Sequence, residues 1–211
     1  MRRLMWIGGA VAAGLVPVEA PAQKLVAKQI VLHEFADCLV KNAPGKSHRL
    51  LLTELGSTEE QKVAVEISMA GSACLRGRPG LTMQVGPIRG AIAEAHLRRA
   101  PALLARGSTL ASIAPVRPAK ADGRAFVIAY AGCLTTSAPQ QSVALLQTPL
   151  ASPDERAAFL KYGDTLPACM PLDQRYTIDI TNLRNHIAAI LYRNIAGQRG
   201  VAGESMTEAA E

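Results

Sequence analysis

Displaced by 95 residues, this 211-residue chain matches itself. Phe35-Ala36-Asp37-Cys38-Leu39 falls on Tyr130-Ala131-Gly132-Cys133-Leu134, Ala43-Pro44 on Ala138-Pro139, and Leu50-Leu51 on Leu145-Leu146. Ser57-x-x-Glu60 falls on Ser152-x-x-Glu155, Ala73-Cys74 on Ala168-Cys169, and Arg89-x-x-Ile92-Ala93 on Arg184-x-x-Ile187-Ala188. Of the 65 ungapped pairs between 35–99 and 130–194, 19 are identical. Composition alone would leave roughly 6–8%, so a duplicated unit is the expected architecture. All four cysteines pair off at this one offset.

Each copy reads as helices, so the expected fold class is all-α, two tandem copies of a disulfide-stapled helical unit. A first helix over about 25–41 stops before Asn42-Ala43-Pro44, and a short apolar segment follows at 50–55. Ser57-Thr58-Glu59-Glu60 is a capping box, the serine taking an orphan backbone N–H while the glutamate reaches back. Its counterpart, Ser152-Pro153-Asp154-Glu155, puts proline first in the helix, where a missing N–H costs nothing. Helices over 58–70 and 153–163 are expected, then cysteine-containing loops over 71–87 and 164–181, then last helices over 88–99 and 183–196. Phe126-Val127-Ile128-Ala129-Tyr130 alone resembles a buried strand, but its alignment with 30–34 makes it helix. The segment Tyr176–Ile180 alternates and reads as a short extended piece. The resulting organisation is 1–22 signal peptide, 23–99 copy one, 100–124 linker, 125–196 copy two and 197–211 flexible tail. Pro101, Pro115, Pro118 and Gly123 interrupt the linker, with a turn of helix at 102–105.

The N-terminus reads as an export signal. Arg2 and Arg3 precede a 13-residue apolar run, Leu4 to Val16, too short to span a bilayer. Ala20-Pro21-Ala22 is a small-x-small site, so cleavage is expected between Ala22 and Gln23. The mature chain would lack a transmembrane segment and be periplasmic or secreted, carrying 21 basic against 16 acidic residues once Arg2, Arg3 and Glu19 are gone.

Four cysteines in an exported chain imply two disulfides. Symmetry allows all three connectivities, while locality favours Cys38–Cys74 and Cys133–Cys169, each closing a loop inside its own copy. Such a loop is worth about 3–4 kcal/mol in the chain-entropy model. Redox or metal roles lack support, because neither Cys-x-x-Cys nor a Cys–His spacing occurs. No metal and no cofactor is expected.

Other candidate chemistry is sparse. His33, His48, His96 and His186 form no i, i+4 histidine pair. His33 and Asp37 are spaced for a hydrogen-bonded pair on one helix face, which Ile128 and Gly132 cannot repeat. No hydrolase elbow, P-loop or dinucleotide fingerprint is present after the signal segment. Glu60 and Glu155 could be offered as paired carboxylates, but capping explains them. Arg89 and Arg184 open the last helix of each copy, where the positive end of the dipole disfavours a cation. Each therefore needs a partner: an internal acidic or carbonyl group, or else a bound anion. Basic charge is uneven: 35–99 carries nine Lys/Arg against six Asp/Glu, 130–194 five against five, and 100–129 four against one. Arg76-Gly77-Arg78 adds a local cluster. With aromatics at 4%, a base-stacking nucleic-acid reader is disfavoured, and an exported chain points instead to an envelope protein or an anionic surface.

Ala36-Asp37-Cys38-Leu39-Val40, Ser57-x-x-Glu60, Ala73-Cys74-Leu75 and Arg89-Gly90-x-Ile92-Ala93-Glu94-Ala95 resemble the repeat of a group of exported alphaproteobacterial proteins to which no activity is attached. The resemblance covers 35–99 and, less closely, 130–194. It implies export and disulfides but no catalytic residue. Copy two departs at Gly132, Asn185 and Ala189, so a function tied to those positions belongs to copy one. The expected role is a non-enzymatic binding or interaction module of the cell envelope. The rivals are a carrier holding a small apolar ligand between the helical halves and a hydrolase with an unlisted triad.

Overall fold

The computed structural model describes residues 21–55, 57–75, 85–119, 123–172 and 177–207, excepting the side chains of 21–27 and 198–207. The export signal apart from Pro21 and Ala22, the Arg76-Gly77-Arg78 cluster, Tyr176 and residues 208–211 lie outside them. Among the described residues every regular element is helical. The first part of the chain forms α1 (Pro21–Asn42), α2 (Pro44–Leu52), α3 (Thr58–Ala70), a 3-10 turn (Ser72–Leu75) and α4 (Val85–Arg99). Helix α5 (Pro101–Gly107) follows, then α6 (Gly123–Ser137), α7 (Pro139–Leu146), α8 (Pro153–Leu160), α9 (Thr165–Cys169) and α10 (Ile180–Thr207).

The breaks between helices come from two local devices. Three junctions are Ala-Pro: Ala43-Pro44, Ala100-Pro101 and Ala138-Pro139. Proline disfavours helical geometry in the preceding residue, and all three alanines leave it, with φ between −140° and −125° and ψ between 57° and 73°. The proline then opens the next helix at a position where its absent N–H is not missed. The second device is the serine cap: Ser57 Oγ accepts from the Glu60 N–H at 3.0 Å and Ser152 Oγ from the Glu155 N–H at 3.1 Å.

Several boundaries differ from the sequence reading. The apolar segment 50–55 belongs to a helix that starts earlier, at Pro44, and ends at Leu52. Helix α8 stops at Leu160, three residues short, and turns through Gly163 at φ +51°. The second cysteine loop contains α9. Helix α10 runs to Thr207 instead of stopping at Ala196: Gly197, Gly200 and Gly203 weaken a helix by about 1 kcal/mol each but do not block it as proline does. Phe126–Tyr130 is helical, inside α6.

Both disulfides form, Cys38–Cys74 joining α1 to the 3-10 turn and Cys133–Cys169 joining α6 to α9, with Cα atoms 5.7 Å apart in each. The core is not divided at the linker. One apolar cluster lies wholly in 126–187, built on Phe126, Tyr130, Leu134, Phe159 and Tyr162. The other takes Leu39, Leu50, Ile67 and Ile92 from the first half together with Val143, Leu146, Leu191 and Ile195 from the second.

The halves meet chiefly where α4 crosses α10. A Cβ on Gly90 would lie 2.2 Å from the Asn185 carbonyl oxygen, so the two backbones touch there. Gly90 and Asn185 are themselves 95 residues apart, and the helices therefore cross at matched positions. The obstacle is backbone, not a flexible side-chain tip. Gly90→Ala is expected to cost at least the ~1–3 kcal/mol of an overpacked core, read as a lowered urea midpoint; wild-type stability in this variant would mean that the crossing can widen freely.

Candidate functional site

Arg89 and Arg184 are each 1% exposed. Arg89 Nη1 donates to Glu60 Oε1 at 2.8 Å and Thr53 Oγ1 at 3.0 Å, and Nη2 donates to the carbonyls of Leu51 and Thr53 at 2.8 and 2.6 Å. Arg184 repeats the set: Nη1 to Glu155 Oε1 at 3.2 Å and Thr148 Oγ1 at 3.1 Å, Nη2 to the carbonyls of Leu146 and Thr148 at 3.2 and 2.9 Å. Every one of these partners lies 95 residues after its counterpart. The capping-box glutamates thus do two jobs, with backbone N–H fixing the first turn of α3 or α8 and the carboxylate neutralising an arginine. Neither guanidinium presents a face to solvent, so the anion alternative for Arg89 and Arg184 gives way to the internal one.

Arg184 has one partner more. Its Nε donates to Glu94 Oε2 at 2.9 Å and its Nη2 to Glu94 Oε1 at 2.8 Å, a bidentate pair between α10 and α4 with both side chains buried. The position matching Glu94 in the second half is Ala189, so Arg89 receives no such clamp, and its Nε has no hydrogen-bond partner among the described residues. Burial pulls downward on both guanidinium groups. At Arg89, Glu60 opposes this without reversing it; at Arg184, the carboxylates of Glu94 and Glu155 outweigh burial and the net direction is up. Truncating one partner of a buried pair strands the other charge and costs about 3–5 kcal/mol. Arg184→Ala is expected to lose that much by denaturant unfolding, and Glu94→Ala a similar amount, whereas the double Arg184→Met, Glu94→Met variant should recover part of it. Equal stability in all three would show that the pair is idle.

All four histidines stand at the boundary between the halves. His33 does not pair with Asp37. Its Nε2 donates to Asn185 Oδ1 at 3.1 Å, its Nδ1 has no hydrogen bond and lies 3.9 Å from Glu94, and Asp37 is taken by Arg98 Nη2 at 2.9 Å. Asn185 also donates to Gln29 Oε1 at 3.2 Å. His48 Nδ1 shares a 2.7 Å hydrogen bond with the Tyr192 hydroxyl, and His96 packs against both rings. His186, on α10, lies beside Arg124 and Gly86 and Pro87 of α4. Ser47 Oγ sits 2.8 Å from His96 Nε2 and 2.9 Å from the Pro44 carbonyl oxygen, and the residue is fully buried. The Pro44 carbonyl competes with His96 for the one serine proton, and full burial keeps the hydroxyl from any substrate, so the pair is not set out as a nucleophile and its base.

Burial holds three of these imidazoles neutral. His96 falls to about 4, by burial and then by His48 and Arg99; His186 falls to about 4, by burial and then by Arg124. His33 is lowered by burial, with Glu94 opposing and Arg98 and Arg184 adding to it. The unfolded chain titrates near the ordinary value and the folded one lower. The unfolded state then binds protons first as pH falls, so stability is constant above about pH 6.5 and declines from there toward pH 4. The fall from 6.5 to about 4 at His96 and at His186 corresponds to up to ~3 kcal/mol apiece. Urea midpoints measured between pH 7.5 and 4 are expected to drop below 6.5, with a shallower slope in His96→Gln; a flat profile would contradict the burial of these rings.

The described residues line three surface grooves. One, about 490 Å³, runs along α1 beside the Cys38–Cys74 bridge, with Val31, Phe35 and Leu75 on its floor and Glu34, Asp37, Lys41 and Arg99 around it. A second, about 380 Å³, lies between the halves and is lined by Pro87, Arg124, Phe126, Asn182 and His186 among others. A third, about 270 Å³, flanks the α8 cap at Ser152, Glu155 and Asp179. All three mix charged or polar groups with apolar ones, unlike the enclosed apolar cavity that a carrier of a small apolar ligand requires. Among the described residues no cluster of three or more His, Cys, Asp or Glu is placed to hold a metal ion, and no helix is long and apolar enough to cross a membrane.

Sequence reasoning found the arginines and cysteines because both copies carry them. It missed Glu94, Asn185, His186 and Arg124 as neighbours, since a self-comparison highlights only what the halves share. Comparison with family models, with curated proteins and with solved structures finds no match.

Proposed function

We propose that the chain is an exported, duplicated helical module that binds a protein partner in the cell envelope and performs no catalysis itself. The observation that carries this reading is the groove beside Cys38–Cys74. Its floor is apolar and its rim bears both signs of charge, the make-up of a surface that seats a partner's side chains. The bridge fixes one wall by tying α1 to the 3-10 turn, so the groove is pre-formed and association orders little. Two disulfides agree with an oxidising compartment. Helix α1 is described from Pro21, so cleavage between Ala22 and Gln23 would fall within it. Matched element order, matched arginine partners and the resemblance to exported alphaproteobacterial repeats support duplication. The full burial of Ser47 beside His96 argues against the hydrolase reading.

Intact mass of the protein recovered from periplasm should correspond to a chain beginning at Gln23; full-length Met1 material there would overturn the export reading. For binding, a photo-crosslinking residue at Asn42, on the groove rim, should give a discrete adduct that excess unlabelled protein competes away and that Lys41→Glu abolishes. The same probe at the exposed Leu160 should give none. Equal labelling from both positions, or no adduct at either, would remove the groove from the account.

A further inference from the structure

The pocket between the halves has a different character from the α1 groove. It collects residues of three long helices: Gly86 and Pro87 of α4, Gly123 and Arg124 of α6, and Asn182 in the first turn of α10. The opening of a helix carries positive partial charge and free N–H groups. At α10 these groups are partly used, because Asp179 Oδ1 accepts from the N–H of Thr181 and Asn182 at 3.0 and 3.3 Å. Arg124 adds a full charge. It is exposed, and among the described residues it makes no hydrogen bond or ion pair; its Nε lies 3.2 Å from the Cβ position that Gly86 leaves empty. No acidic residue is among the described lining groups.

His186 supplies the independent observation. Its side chain lines this pocket, the residue is 6% exposed, and no described residue hydrogen-bonds its ring. Its nitrogens are not among the described buried atoms that lack a partner, so what accessibility the ring keeps is toward the pocket, where a ligand can meet it. Asn182 and Thr177 stand beside it, while Phe126, Val127 and Pro87 give the remaining wall an apolar surface. The positions matching Arg124 and His186 in the first half are Gln29 and Ala91, so the site exists once per chain.

We propose that this inter-half pocket binds a small oxyanion, a phosphate or carboxylate carried on a short apolar body, with Arg124 as the counter-charge, His186 as a buried hydrogen-bond donor and Phe126, Val127 and Pro87 against the apolar part. The volume of about 380 Å³ suits a small-molecule site, and junctions between halves are common places for one. The site does not depend on the α1 groove, and either can fail without the other. Among the described residues the charged group facing His186 is Arg124, so an arriving anion would add a negative charge that the described lining lacks.

The test uses the full mature chain and the His186 Cε1–H resonance, titrated with phenyl phosphate, benzoate, inorganic phosphate and the neutral benzyl alcohol. Saturable shifts are expected with phenyl phosphate or benzoate; the tighter of the two identifies the head group, and weaker binding of inorganic phosphate identifies the apolar contribution. Bound anion favours the imidazolium, so the His186 midpoint should rise from about 4 and affinity should grow as pH falls toward it. Arg124→Gln should weaken binding about tenfold or more at unchanged melting temperature, since this side chain is exposed, and Arg124→Lys should retain part of the affinity. The proposal is overturned if neither anion shifts His186, if benzyl alcohol binds as tightly as the anions, or if Arg124→Gln binds them like wild type.

Discussion

The α4–α10 crossing is the constraint from which the rest of the architecture follows. Two helix backbones in contact at Gly90 and Asn185 leave no room for side chains between them, so neighbouring residues must settle around the contact. One turn further on, Glu94 reaches Arg184. Asn185 turns toward α1, where it meets His33 and Gln29. The middle of α10 drops Leu191, Tyr192 and Ile195 into the first core. A buried ion pair gives weak net stability against an apolar pair of the same shape. Its effect here is register: only one sliding position of α10 along α4 satisfies both oxygens of Glu94.

Symmetry and its breaking are divided between two tasks. Within each half, an arginine from the last helix reads two backbone carbonyls, a threonine and a capping-box glutamate. This is an intra-half lock, and its parts recur at one offset. Between the halves, the contacts use residues that do not recur: Glu94 against Ala189, Gly90 against Asn185, His33 against Ile128, His96 against Leu191. Of the departures that the sequence marks in 130–194, Asn185 and Ala189 lie at this junction.

How much of this was readable in advance depends on range. Ala-Pro breaks, serine caps and the cysteine pairing are local or repeated, and they were legible from residue order. The need of Arg89 and Arg184 for a partner was legible from helix electrostatics, although Glu60 and Glu155 had been assigned to capping alone. The length of α10 was not, because glycine weakens a helix without fixing where it ends. His186 and Arg124 stand 62 positions apart and carry no pattern of their own; only the convergence of three helices brings them to one pocket. Ala151 shows the same limit at small scale. It adopts φ +53° with its N–H on Glu155 Oε2 at 2.9 Å, where the first half has Gly56, and nothing in the residue type announces that geometry.

The two disulfides each close within one half, and no cysteine remains to bridge them. The only covalent tie between the stapled parts is therefore the stretch that leaves α5. Over 111–119 it is irregular and mostly exposed, held by the Ile113 N–H on the Thr136 carbonyl and by Ser112 on the Ser137 carbonyl. A chain nicked there would consist of two separately cross-linked polypeptides whose attachment is wholly non-covalent. Its affinity would be that of the α4–α10 junction itself, so the same fold, cut once, becomes a heterodimer.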